Sequence, residues 1–149
     1  MSDYTVVKDT REQKGWVFPN MICHALKTGD YTIVDFETTL CIERKGSVVE
    51  FAGNVIQKRF VNELERMRGY KYAFLLLEFT MKQLLDYPLG SGIPQRRLRW
   101  LKYDGRFILK KLLEFQMTYP TIHVHLCGDK GQEVASSIFR RVVELEHHG

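Results

Sequence analysis

Cysteine is scarce in this sequence: Cys23, Cys41 and Cys127 are the only three among 149 residues. They are odd in number and widely spaced, and no CxxC or HxxxH spacing accompanies them. This excludes a disulfide framework and a zinc site, and points to reduced thiols in an intracellular compartment. No apolar run approaches the roughly 20 residues that a membrane span needs. The opening "MSDYTVVKDT" also lacks the pattern of a signal peptide. Repeats, linkers and low-complexity tracts are missing too, so a single domain is expected. The apolar share of 44% and charged share of 27% are ordinary for a globular chain long enough to bury a real core. A net charge of +4 and a pI near 9.0 permit a polyanionic partner without requiring one.

The β-branched run "YTVVKD" reads as a strand over 4–9, followed by a loop closed by Pro19. A short helix is expected over 20–27, ended by Gly29, and then two strands over 31–35 and 39–45 joined around Phe36 and Glu37. From Val49 to Arg68, Ile56, Phe60, Leu64 and Met67 recur at helical spacing and predict one amphipathic helix. "YAFLLLEF" (72–79) reads as a strand covered on both faces, and "PLGSGIP" (88–94) as loop. A helix over 105–117, a strand over 121–126 and a last helix over 131–144 complete the chain. This order implies an α/β fold with a central sheet between helices. Val134, Ile138, Val142 and Leu145 on the last helix would serve either a dimer face or the protein's own sheet. "LEHHG" (145–149) reads as a native end or as a tag-derived tail, so His147 and His148 are set aside.

"GDYTIVDFETTLCIERKG" (29–46) carries the chemistry. A hairpin folded symmetrically about Phe36 and Glu37 sets Asp30 directly across from Glu43. Alternation along a strand puts Glu43 and Lys45 on one face and Arg44 on the other. Two adjoining carboxylates stay ionised cheaply only with a cation between them, and oxygen ligation with open positions suits magnesium or manganese. A lysine beside them can assist an attacking water or stabilise developing charge. Together these imply metal-assisted phosphodiester hydrolysis. On spacing alone, however, a Glu-x-Lys pair on a strand is ordinarily a solvated salt bridge.

More residues join it. "VVKDTRE" (6–12), "GDY" (29–31) and "IERKGSVVEFAGNV" (42–55), in this order, resemble the XPF-type structure-specific endonucleases of the restriction-endonuclease-like, PD-(D/E)xK superfamily. The resemblance runs from about Tyr4 to Val143. It implies a single nuclease domain over 1–146, with 147–149 as the tail, built as a central mixed sheet flanked by helices. It further implies Asp30 and Glu43 as the metal-binding pair, Lys45 as catalytic lysine, and Asp9 and Glu12 as further acids around the metal. Arg44 would offer its backbone carbonyl to the metal, and Arg11 a phosphate or structural contact. Where that family places an Asp four residues after the motif lysine, this sequence has Val49, with Glu50 next to it.

Other residues have two readings. Arg59 with Glu63, at i and i+4, is by default a helix-surface pair, with Arg59 and Gln57 as phosphate contacts the alternative. "QRRLRWLKY" (95–103) is a solvated basic stretch, or a DNA contact through Arg96, Arg97, Arg99 and Trp100. His123 and His125 share a strand face and read as packing or surface residues, and His24 carries only a note. The expectation is a magnesium-dependent endonuclease acting on DNA at flaps, forks or junctions, in repair or recombination, and homodimeric as the family resemblance implies. The alternatives are a non-catalytic DNA-binding or partner-pairing domain of the same fold, and a restriction-type or recombination nuclease.

Overall fold

The computed structural model describes residues 4–148. Six strands form one sheet: β1 (Val6–Lys8), β2 (Met21–Cys23), β3 (Tyr31–Ile33), β4 (Leu40–Lys45), β5 (Tyr72–Leu77) and β6 (Ile122–Leu126). Their order across the sheet is β2-β1-β3-β4-β5-β6. The β1–β3 and β3–β4 pairs are antiparallel, while β1–β2, β4–β5 and β5–β6 are parallel, so the sheet is mixed. Among the described residues six helices accompany it: α1 (Val48–Asn54), α2 (Lys58–Met67), α3 (Met81–Asp86), α4 (Gln95–Leu98), α5 (Gly105–Thr118) and α6 (Gly131–His148). No helix among the described residues is long and apolar enough to cross a membrane.

The alternation of β4 separates two cores. Cys41 points into a core shared with α1, α2, α3 and α5, around Phe51, Phe60, Leu64, Leu75 and Ile108. Leu40 and Ile42 point into a second core with Trp16, Phe18, Tyr31, Leu76 and Phe139 of α6. Burial on both faces is why "LCI" and "LLL" are continuously apolar. Ile138 and Val142 are buried in this second core and Val134 packs against it, which leaves Leu145 as the exposed member of the α6 stripe.

Two expectations fail here. Residues 20–27 hold no helix: Met21–Cys23 form β2, paired in parallel with Val6–Lys8. The segment is too short for its own periodicity to decide, and the open edge of β1 captures it. Residues 49–68 form two helices instead of one. Ser47 caps α1 by accepting the Glu50 amide at 3.1 Å, and α1 ends at Asn54. There the Gln57 amide bonds the Asn54 carbonyl at 2.9 Å and the two side-chain amides meet at 3.3 Å, closing a turn that competes with the helix. Ile56, expected in the core, falls in this break and is half exposed. The last helix, in turn, runs on from Glu144 to His148.

The β5–β6 crossover is pinned where α5 begins. A Cβ on Gly105 would sit 2.3 Å from the Leu84 carbonyl and 2.5 Å from that of Leu85, so only glycine lets α5 start against α3. Gly105→Ala should therefore lower stability by about 1–3 kcal/mol, as overpacking does. In thermal unfolding this would read as a fall of several degrees at this chain length. An unchanged midpoint would show that this contact yields freely.

Candidate active site

Asp30 enters β3 through a forced turn. Gly29 has φ +83, and a Cβ there would meet the Ile42 carbonyl at 3.0 Å. The Asp30 amide donates to that same carbonyl at 2.7 Å. The Tyr31↔Ile42 pairing then sets Asp30 opposite Glu43, the register expected from the symmetric hairpin. The Asp30 carboxylate is fixed by the Arg44 main-chain N–H, which donates to Oδ2 at 2.8 Å. Glu43 Oε2 lies 3.0 Å from Lys45 Nζ, with both side chains almost fully buried. The Lys45 ammonium also lies 5.2 Å over the Phe60 ring of α2.

Burial acts strongly on the acid pair. It pushes the Asp30 carboxyl from 3.8 up to about 6, against the pull of the Arg44 amide, Lys45 and a hydrogen bond with Glu43. Burial, and then the charge of Asp30, push Glu43 well above its ordinary 4.5 despite Lys45. Both carboxyls thus keep their protons to higher pH than isolated carboxyls do, and a cation between them would oppose that shift.

Arg44 faces the other core. Its guanidinium pairs with Glu78, reaches Glu12 at 3.5 Å and lies 5.6 Å from the centre of the Trp16 ring. Its carbonyl is different. The Ile42 carbonyl faces β3, and the Lys45 carbonyl faces β5, where it accepts the Glu78 amide at 2.9 Å. By the same alternation the Arg44 carbonyl faces the β3 edge, where Asp30 sits.

A cleft of about 310 Å³ opens over this end of β4. It is lined by Asp9, Arg11, Asp30, Glu43 and Lys45 from the sheet side, and by Gln57, Arg59, Phe60, Glu63 and Arg66 from the helix side. Asp9 borders it with a carboxylate already engaged. Its Oδ1 accepts the Leu26 amide at 2.8 Å, and its Oδ2 accepts Arg11 Nε at 2.8 Å. Burial raises the Asp9 pKa, but these bonds outweigh it and hold the group below 3.8. Arg11 adds a bond to the Leu26 carbonyl at 2.9 Å, stapling two loops, while its side chain stays largely exposed at the cleft rim.

Glu12 is not among the lining residues. Its carboxyl meets Arg44 on the opposite side of the sheet, and burial followed by the charge of Asp30 raises it to about 7. Arg96, Arg97, Arg99 and Trp100 also lie outside the cleft, in and just after α4. Glu50 caps the turn into α1, accepting the Gly46 amide at 2.7 Å. His123 and His125 flank the Phe74 ring at 5.2 and 6.1 Å, as packing residues would.

Residues 3–140 match the ERCC4 domain. The chain belongs to the ERCC4 domain family. ERCC4 domains of the XPF type are nuclease domains. Among solved structures, XPF from Aeropyrum pernix aligns with a TM-score of 0.65 at 22% identity, covering 93% of this chain and 65% of that one. The same protein in complex with DNA aligns with a TM-score of 0.61 at 20% identity, covering 96% of this chain and 66% of that one. This ERCC4 domain thus spans about two thirds of those chains and shares their restriction-endonuclease-like fold. No curated protein sequence matches it.

Glu63 and its partner Arg66 are cleft residues of this ERCC4 domain that sequence reasoning missed, and Glu63 is the informative one. It was expected to pair with Arg59 on a helix surface, but its partners are Arg66 and the Gly29 amide, which donates to Oε1 at 2.9 Å. Helix α2 therefore holds the turn that delivers Asp30. Helical spacing gave no sign of this, because the partner lies 34 residues away in a loop. Glu63→Ala should loosen the turn and lower the melting temperature, whereas Glu63→Gln keeps the acceptor oxygen for the Gly29 amide and should largely restore it. Equal effects of the two changes would remove the positioning role.

The acid pair also sets a pH dependence. With the folded pKa of Asp30 raised to about 6 from 3.8, the folded state binds protons that the unfolded chain releases. Stability in chelator should then fall as pH rises through that window, and Glu12 and Glu43, raised in the same direction, carry the fall beyond it. Asp30→Asn removes the buried charge while keeping an oxygen for the Arg44 amide. It should melt higher than the parent at pH 8 in EDTA and close to it near pH 4. Parallel melting curves across that range would contradict this.

Proposed function

We propose that this chain is a divalent-metal-dependent DNA endonuclease that hydrolyses phosphodiester bonds at duplex–single-strand junctions such as flaps and forks. The observation that carries this reading is the meeting of Asp30, Glu43 and Lys45 on the α2 side of the sheet, at the floor of an open cleft. Membership in the ERCC4 domain family supports nuclease chemistry. The DNA-bound structure of the Aeropyrum pernix protein supports DNA as the substrate class.

The donor set fits magnesium or manganese. Burial and mutual repulsion raise the pKa of both Asp30 and Glu43, and a divalent cation between them would relieve that repulsion. Among the described residues no group of three or more His, Cys, Asp or Glu is arranged to hold a metal. Magnesium needs no such cage: it is usually held by one or two carboxylates, with waters and substrate phosphate completing its shell. Asp30 and Glu43 would hold it, with the Arg44 carbonyl on the same edge. When bound, the ion supplies Lewis-acid activation of the phosphodiester.

The chain's own groups do the rest. Lys45, braced by Glu43 and the Phe60 ring, presents an ammonium that can orient an attacking water and stabilise negative charge developing on phosphate. Arg59 and Arg66, on the opposite wall, face the incoming backbone. A homodimer through α6 would have to use Leu145, since Ile138 and Val142 serve the protein's own core.

Linear duplex, flap and forked DNA incubated with magnesium test the reading. Cleavage should favour the flap or fork and vanish in EDTA. Asp30→Ala and Glu43→Ala should abolish it while sparing DNA binding. Lys45→Ala should slow single turnover by roughly 10²–10⁴-fold, the usual contribution of such a group. Full cleavage in EDTA removes the metal mechanism. DNA binding without cleavage of any substrate supports the non-catalytic alternative.

A further inference from the structure

The β5–β6 crossover carries cations that the cleft does not use. Arg96, Arg97, Arg99, Lys102 and Arg106 are all exposed. None of them forms an ion pair among the described residues, whereas the nearby Lys110 and Lys111 both meet Glu114 at 3.9 and 3.8 Å. The one acid between residues 95 and 111 is Asp104, whose carboxylate caps α5 by accepting the Phe107 amide at 3.1 Å. In the middle of this strip Trp100 is 71% exposed, with the Arg99 guanidinium 5.0 Å from the centre of its ring.

Five uncompensated like charges repel, and an exposed indole wets a large apolar surface. A ligand that relieves both must bring phosphates and flat apolar faces together. Duplex DNA keeps its base faces stacked inside, but an unpaired strand offers them alongside its phosphates. The place also suits a junction. Glu78, just after β5, bonds the Lys45 carbonyl, and Thr80 caps α3 at that same end of the sheet. The six residues of α3, a rise of about 9 Å, lead from there to the tight contact with Gly105, where α5 starts.

We propose that the α4 strip binds the unpaired DNA strand of a junction, with Trp100 stacking on a base and Arg96, Arg97 and Arg99 contacting phosphates. This rests on DNA being the substrate, as proposed above. It assigns strand discrimination to a surface separate from the metal-binding carboxylates.

The two tryptophans make the test direct, because Trp16 is 4% exposed while Trp100 is open to solvent. The full chain in EDTA is titrated with a short oligothymidylate and with a blunt duplex of equal length, over a range of salt. The oligothymidylate should quench emission, and Trp100→Phe should abolish most of that signal. Trp100→Ala should weaken its binding by about tenfold or more. Replacing Arg96, Arg97 and Arg99 together by Ala should flatten the log–log salt slope by about two units. Unfolding midpoints of these exposed-site variants should match the parent. Unquenched emission, a parental salt slope in the triple variant, or equal binding and quenching by the duplex would each overturn the proposal. Cleavage is not needed for this readout, so failure of the nuclease reading shows separately, as no cut in any DNA with magnesium.

Discussion

Two carboxylates forced to face each other across a buried antiparallel pair are the constraint on which this structure turns. Asp30 and Glu43 meet because the hairpin has one register, and that register is fixed by which side chains of β4 must be buried. A slip of one residue would turn Leu40 and Ile42 out of their core and carry Glu43 away from α2. The unfavourable pairing is thus locked in by favourable packing on both faces of the strand. Functional sites commonly hold local strain of this kind because the surrounding fold over-determines it.

Everything around the pair answers it. Lys45 supplies a countercharge, the Arg44 amide an oriented donor, and Glu63 a tie from α2 to the turn before Asp30. The side chain of Arg44 works on the far face, where Glu78, Glu12 and Trp16 receive it. Three consecutive residues therefore do different work. Glu43 and Lys45 face the cleft, and Arg44 anchors the strand that presents them.

Much of this was legible in the sequence because period-two alternation and hairpin symmetry are short-range rules. The placement of Asp30 against Glu43 needed only equal counts from the turn, and the separation of Arg44 from its neighbours needed only the pleat. What escaped was decided by partners distant in sequence. Met21–Cys23 looked helical until β1 offered an edge. The break after Asn54 coincides with a turn in which the Asn54 side-chain amide donates to Gln57 Oε1 and the Gln57 main-chain N–H returns to the Asn54 carbonyl, which apolar periodicity cannot register. Glu63 was misread for the same reason, since its acceptor oxygen meets a glycine amide brought near only by the folded sheet. Glu50 looked like a displaced family acid, and the cap it makes on the Gly46 amide gives its position a local cause.

The interruption between α1 and α2 has a consequence for the shape of the cleft. Arg59, Glu63 and Arg66 stand on α2, which begins after the turn at residues 55–57, while Asp30, Glu43 and Lys45 stand on the sheet side. Phe60, Leu64 and Met67 root this wall in the core shared with β4, and the Glu63–Gly29 bond ties it to the floor. Lengthening or shortening the turn at residues 55–57 would therefore shift Arg59 along the wall and pull on the approach to Asp30 at the same time. The width of the cleft and the setting of its acids are one adjustment, not two.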